Sequence, residues 1–141
     1  MQLAEIEQRL LALQMLPTDT IDIDDVLAIG EAVLCCWITA TGAIPTDKKK
    51  EGYRLLALHR QGAKGDPSFN ACRESCRELI YQVNVVKLND GRAPAAVTMA
   101  LAVAYHLCLF IGGKLTDPAL GDFCCSSRPT RMESTEPAAS I

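Results

Sequence analysis

Two long stretches of this chain carry almost no charge, and both are ridged with small residues. Between Arg92 and Lys114 there is no charged side chain, and from Val26 to Ile44 the only one is Glu31. The first stretch places Ala28, Ala32, Cys36 and Ala40 four residues apart; the second does the same with Ala96, Ala100, Ala104, Cys108 and Gly112. Residues four apart form one ridge on a helix, and small ones let a neighbouring backbone approach closely. Such segments must be buried on several sides. The sequence therefore predicts an all-α protein, a compact bundle of four to five helices with the second and fifth central. The same ridges also suit a dimer seam or a pair of membrane spans.

Three amphipathic segments complete the set. Leu3, Ile6, Leu10 and Leu13 are spaced as one helical stripe over 2–16, which Pro17 stops. Asp22 or Asp24 suits the N-cap of a second helix over 25–41, ended by Gly42 and Pro45. A third helix is expected over 47–61, capped by Thr46 and opened by Asp47, with Tyr53, Leu55, Leu56 and Leu58 on its apolar side. Gly62, Gly65, Asp66 and Pro67 break the chain, and Ser68 suits the next N-cap. Phe69, Cys72, Cys76, Leu79, Val83 and Val86 then line one face of a fourth helix to about Leu88. A strand over 83–88 is the alternative there, because Val83, Val85 and Val86 are β-branched and Asn89-Asp90-Gly91 is a turn signal. Pro94 opens the fifth helix, which runs to about Gly112. The helical domain is expected to span 1–115, and 116–141, with three prolines and little periodicity, to form an extended tail.

Charge is unevenly placed. Residues 1–46 hold seven acids against one base, whereas 47–92 hold ten bases against six acids. The two halves are expected to pair in part. What remains is a basic face, with Lys48, Lys49, Lys50, Arg54 and Arg60 as its interaction residues. No recognition helix, zinc finger or RNA-binding aromatic pair accompanies it, so nucleic acid is not the expected partner. Gly62-Ala63-Lys64-Gly65-Asp66 lacks the spacing of a phosphate loop.

The chain has seven cysteines. Its first residues are acidic, unlike a secretory leader, so reduced thiols and a cytoplasmic location are expected. Cys72 and Cys76 lie one turn apart on an apolar stripe, where free cysteine acts as a small hydrophobe. The chemical alternative is a soft-metal site, zinc or copper, or a thiol-redox site, using Cys72 and Cys76 with Cys36, Cys108 or His106. Cys35-Cys36 makes a poor chelate because helical neighbours diverge, and Cys124-Cys125 falls in the tail. His59 is expected near the end of the third helix, and Glu31 is a candidate partner for His106.

No catalytic residues stand out and no cofactor is expected. The leading expectation is a non-enzymatic interaction module, a regulator, adaptor or subunit, with a protein partner or self-association as a dimer. The alternatives are the thiol or metal bundle and a two-span membrane protein through 26–44 and 93–113, the second of which is long enough to cross a bilayer.

Overall fold

The computed structural model describes residues 2–64, 72–90 and 92–116. Ser68, Phe69, the Gly65–Pro67 break, Gly91, Cys124-Cys125 and the tail from 117 onward lie outside the described residues. Among the described residues the fold is a compact all-helical bundle of five α-helices: α1 (Leu3–Gln14), α2 (Ile23–Ala40), α3 (Arg54–Ala63), α4 (Cys72–Leu88) and α5 (Pro94–Thr116). A single 3₁₀ turn, Thr18–Thr20, follows Pro17.

The ends of the helices follow from local chemistry. Glu5 reaches back to accept the Gln2 backbone N–H at 2.8 Å, satisfying a donor at the start of α1. Asp22 caps α2 by accepting from the Asp24 N–H at 2.9 Å. At its other end Gly42, with φ of 89°, lets Ala43 N–H bond Ile38 O and its own N–H bond Thr39 O. That pair of bonds closes the helix and turns the chain back.

The third helix departs from expectation. It starts at Arg54, seven residues later than the Asp47 start. Lys48, Lys49 and Lys50 therefore lie on the α2–α3 connection and not on a helix. Lys50 and Tyr53 exchange both backbone hydrogen bonds at 3.0 Å around Glu51 and Gly52, whose φ angles are 55° and 87°. Positive φ at both central residues makes a tight hairpin-type turn, which a helix cannot include. Thr46 does accept from a backbone donor two residues on, Lys48 N–H at 3.1 Å, but no helix follows. Because α3 then continues to Ala63, His59 sits inside the helix and is buried.

α4 is helical through 83–88, so the strand alternative fails. Its stripe of Cys72, Cys76, Leu79, Val83 and Val86 is buried. α5 extends to Thr116 and packs against α1, α2 and α4, while α2 packs against all four other helices. The core runs through Ile6, Leu10, Val33, Leu34, Leu55, Leu58, Leu79 and Leu107. Each such side chain contributes roughly 1.5–3 kcal/mol on burial. Gly30 marks a close approach of α2 to α4 and α3: a Cβ there would lie 2.7 Å from Leu79 Cδ2 and 3.6 Å from Leu55 Cδ1. Among the described residues α5 alone is long and apolar enough to cross a membrane, and half of its most apolar window is buried in the bundle.

Candidate functional site

The α2–α3 connection folds back over α3 because side chains of α3 hold its backbone. Gln61 does this twice: its Oε1 accepts from Thr46 N–H at 2.8 Å and its Nε2 donates to Ile44 O at 2.8 Å. Arg54 adds a third tie, Nε donating to Thr46 O at 2.9 Å. The result brings Lys48, Lys49 and Lys50 over the side of α3 that carries Arg60, with Lys64 just beyond the helix end. Together these five cations line an open concavity of about 830 Å³. Among the described residues, no carboxylate and no aromatic ring lines it.

Four of the five expected basic-face residues therefore meet. Arg54 does not join them. It is half-buried beside Glu31 at 3.7 Å and Asp47 at 3.5 Å, and fixes the connection from beneath. Lys64 takes the place of Arg54 in the set. It follows Arg60 by four residues and is the C-cap residue just beyond the end of α3. Elsewhere the acidic front does pair with the basic middle, through Lys87–Asp24 at 2.9 Å and Arg54–Glu31. Lys48, Lys49, Arg60 and Lys64 join no ion pair among the described residues, and Lys50 stands 4.0 Å from Glu51.

The two small-residue ridges have different surroundings. On α5, Ala96, Ala100, Ala104 and Cys108 are buried, and Gly112 comes against Leu3 of α1. On α2, Ala28 and Ala40 are exposed, and Ala32 and Cys36 are half-buried. That ridge lines an open groove of about 850 Å³ whose rim includes Leu3, Glu31, Cys35, Arg54 and Leu115. Burial raises the Glu31 carboxyl above its ordinary pKa, and the adjoining Arg54 guanidinium opposes the rise.

The thiols are held in their unreactive form. Burial pushes Cys76 up to about 12 and Cys108 up to about 11, and it also raises Cys35 and Cys36. The thiolate is the nucleophile and the metal ligand, and each of these environments opposes it. Among the described residues no three His, Cys, Asp or Glu side chains converge. Cys72, Cys76, Cys108 and His106 thus form no shared metal centre. The expected Glu31–His106 pair does not form, because Glu31 is taken by Arg54. His106 lies instead in a shallow groove with Glu74 and Glu78, half-buried, and desolvation draws its pKa down.

Compared with known protein families, curated proteins and solved structures, the chain matches none.

Proposed function

We propose that this chain is a small helical interaction module that docks an acidic segment of a partner protein on the concavity between the α2–α3 connection and α3. The observation that carries the reading is the cationic wall itself: Lys48, Lys49, Lys50, Arg60 and Lys64 around one concavity, with no carboxylate among the described lining residues. Like charges gathered this way repel one another, and a negatively charged partner relieves the repulsion. A protein partner is favoured over nucleic acid because the sequence carries no recognition-helix, zinc-finger or RNA-binding aromatic-pair pattern. Regulator, adaptor and subunit roles are all compatible with such a surface.

Fluorescence anisotropy of the full chain with a labelled Glu-rich peptide tests this. Binding should weaken as salt rises past the point where the screening length falls below about 10 Å. Lys49→Glu with Lys64→Glu should weaken it by more than about tenfold, given roughly 1.4 kcal/mol per decade. Equal affinity for a peptide of neutral composition would exclude the reading. Self-association is a second reading, favoured by the open α2 ridge of Ala28, Ala32, Cys36 and Ala40. A native mass above that of one chain, lost on Ala32→Arg, supports it.

A further inference from the structure

We infer that the acidic segment taken by the concavity is a phosphorylated one, bearing two phosphoserine or phosphothreonine side chains that face the wall together. The inference rests on the docking proposed above and asks which anion the wall selects.

Charge density decides it. The α3 side of the concavity runs from Ala57 to Lys64. At 1.5 Å per residue that is roughly 10 Å of helix. An extended peptide rises about 3.3 Å per residue and turns alternate side chains to opposite faces. About two of its side chains can therefore face a wall of this length. Two carboxylates bring two negative charges to five cations. Two phosphates bring about three to four, because each carries roughly −1.5 to −2 near neutral pH.

Hydrogen-bonding capacity points the same way. Among the described lining residues, only Thr46 and Gln61 bear side-chain acceptor oxygens. Both are already in use, Thr46 Oγ1 by Lys48 N–H at 3.1 Å and Gln61 Oε1 by Thr46 N–H at 2.8 Å. The wall thus presents the donors of its lysines and arginine. A phosphate ester, with three strong acceptor oxygens, matches a surface of donors. Among the described acids beside the wall, Asp47 lies 3.5 Å from Arg54, and Glu51 is shared between Arg77 at 3.0 Å and Lys50 at 4.0 Å.

The test uses the full chain and three peptides of one sequence, in which two positions two residues apart are phosphoserine, glutamate or serine. Anisotropy should show the phosphoserine peptide binding at least about tenfold more tightly than the glutamate peptide, as its greater charge requires, and the serine peptide not binding. Lys49→Gln with Lys64→Gln should abolish that difference while the helical circular dichroism stays unchanged. Arg9→Gln, a charge removed from α1, should preserve it. Equal affinity for phosphoserine and glutamate peptides overturns the phosphate inference and leaves acidic docking standing. Failure of both to bind overturns both proposals. A preference for phosphoserine that survives the double lysine substitution overturns the location. An oligonucleotide of equal charge that binds as tightly as the phosphoserine peptide overturns the assignment to a protein segment.

Discussion

The Arg77 guanidinium meets the Glu51 carboxylate at two points, Nη1 to Oε1 at 3.2 Å and Nη2 to Oε2 at 3.0 Å. Glu51 is the residue forced into the left-handed region in the turn that follows the three lysines. A non-glycine residue resists that conformation, so the clamp from α4 holds the turn in place. The bond to Arg77 keeps the Glu51 carboxyl below its ordinary range. The stabilisation is complete above the unfolded carboxylate's pKa of about 4.3 and is lost as pH falls through the lower folded value. An NMR titration of the Glu51 side chain should show this depressed midpoint. In Arg77→Gln the midpoint should return to the ordinary range, and the amide of Lys50 should lose protection. A midpoint unmoved by the substitution would show that the clamp does not persist in solution.

Gly30 tests the packing of α2 against α3 and α4. Alanine gains about 1 kcal/mol of helix propensity over glycine. Its Cβ meets Leu79 Cδ2 at 2.7 Å, and this methyl must move within a full core. Such overpacking costs about 1–3 kcal/mol, so Gly30→Ala should fall near neutral or mildly destabilising. Gly30→Val adds branches with no room and should lose at least about 2 kcal/mol in urea unfolding. A valine variant as stable as the parent would mean that the helices are further apart than described here.

Much of this packing was legible in the sequence, because stripes at spacings of three and four declare which residues share a face. The stripe of Cys72, Cys76, Leu79, Val83 and Val86 is an example, as is the stop at Gly42. Spacing alone does not say what a face meets. The ridges of α2 and α5 have the same four-residue period, yet one is open and the other buried. That difference depends on how α1 and the end of α5 lie beside α2. The start of α3 was hidden for a local reason. Asp47 and the lysines after Thr46 mimic a capped helix, while the true signal was a single glycine, Gly52, preceded by a residue that seldom adopts positive φ. The basic residues were visible as a set, but the concavity exists only through ties spanning 15 and 17 residues, from Gln61 to Thr46 and Ile44.

Thiol labelling should rank the cysteines by burial. At pH 8 a thiol raised to about 12 is ionised in only about one molecule in ten thousand, and Cys76 is fully enclosed besides. Iodoacetamide with peptide mapping should modify Cys35 and Cys36, which line the open groove, well before Cys72, Cys76 and Cys108. The last three should react at the rate of unfolding, and urea should bring them level with the first pair. Rapid labelling of Cys76 in the native protein would contradict its place in the core.

Lys114 offers a spectroscopic test of the end of α5. It is 1% exposed, and its ammonium lies 4.9 Å from the centre of the Trp37 ring and 5.8 Å from that of Phe110. A cation over an aromatic face contributes about 0.5–2 kcal/mol, more when water is excluded. Burying the charge costs free energy in the opposite direction, and an apolar residue of similar length avoids that cost. Lys114→Met removes the contact with the rings together with the cost of burying the charge, so it should destabilise less than a charge reversal does. Lys114→Glu reverses the charge against the negative ring faces and should lose more than about 3 kcal/mol. Trp37 is the single tryptophan of the chain, so its emission reports directly on the contact. The methionine variant should shift that emission while leaving the helical signal intact. An unchanged spectrum in a folded Lys114→Met protein would place the ammonium away from the Trp37 ring.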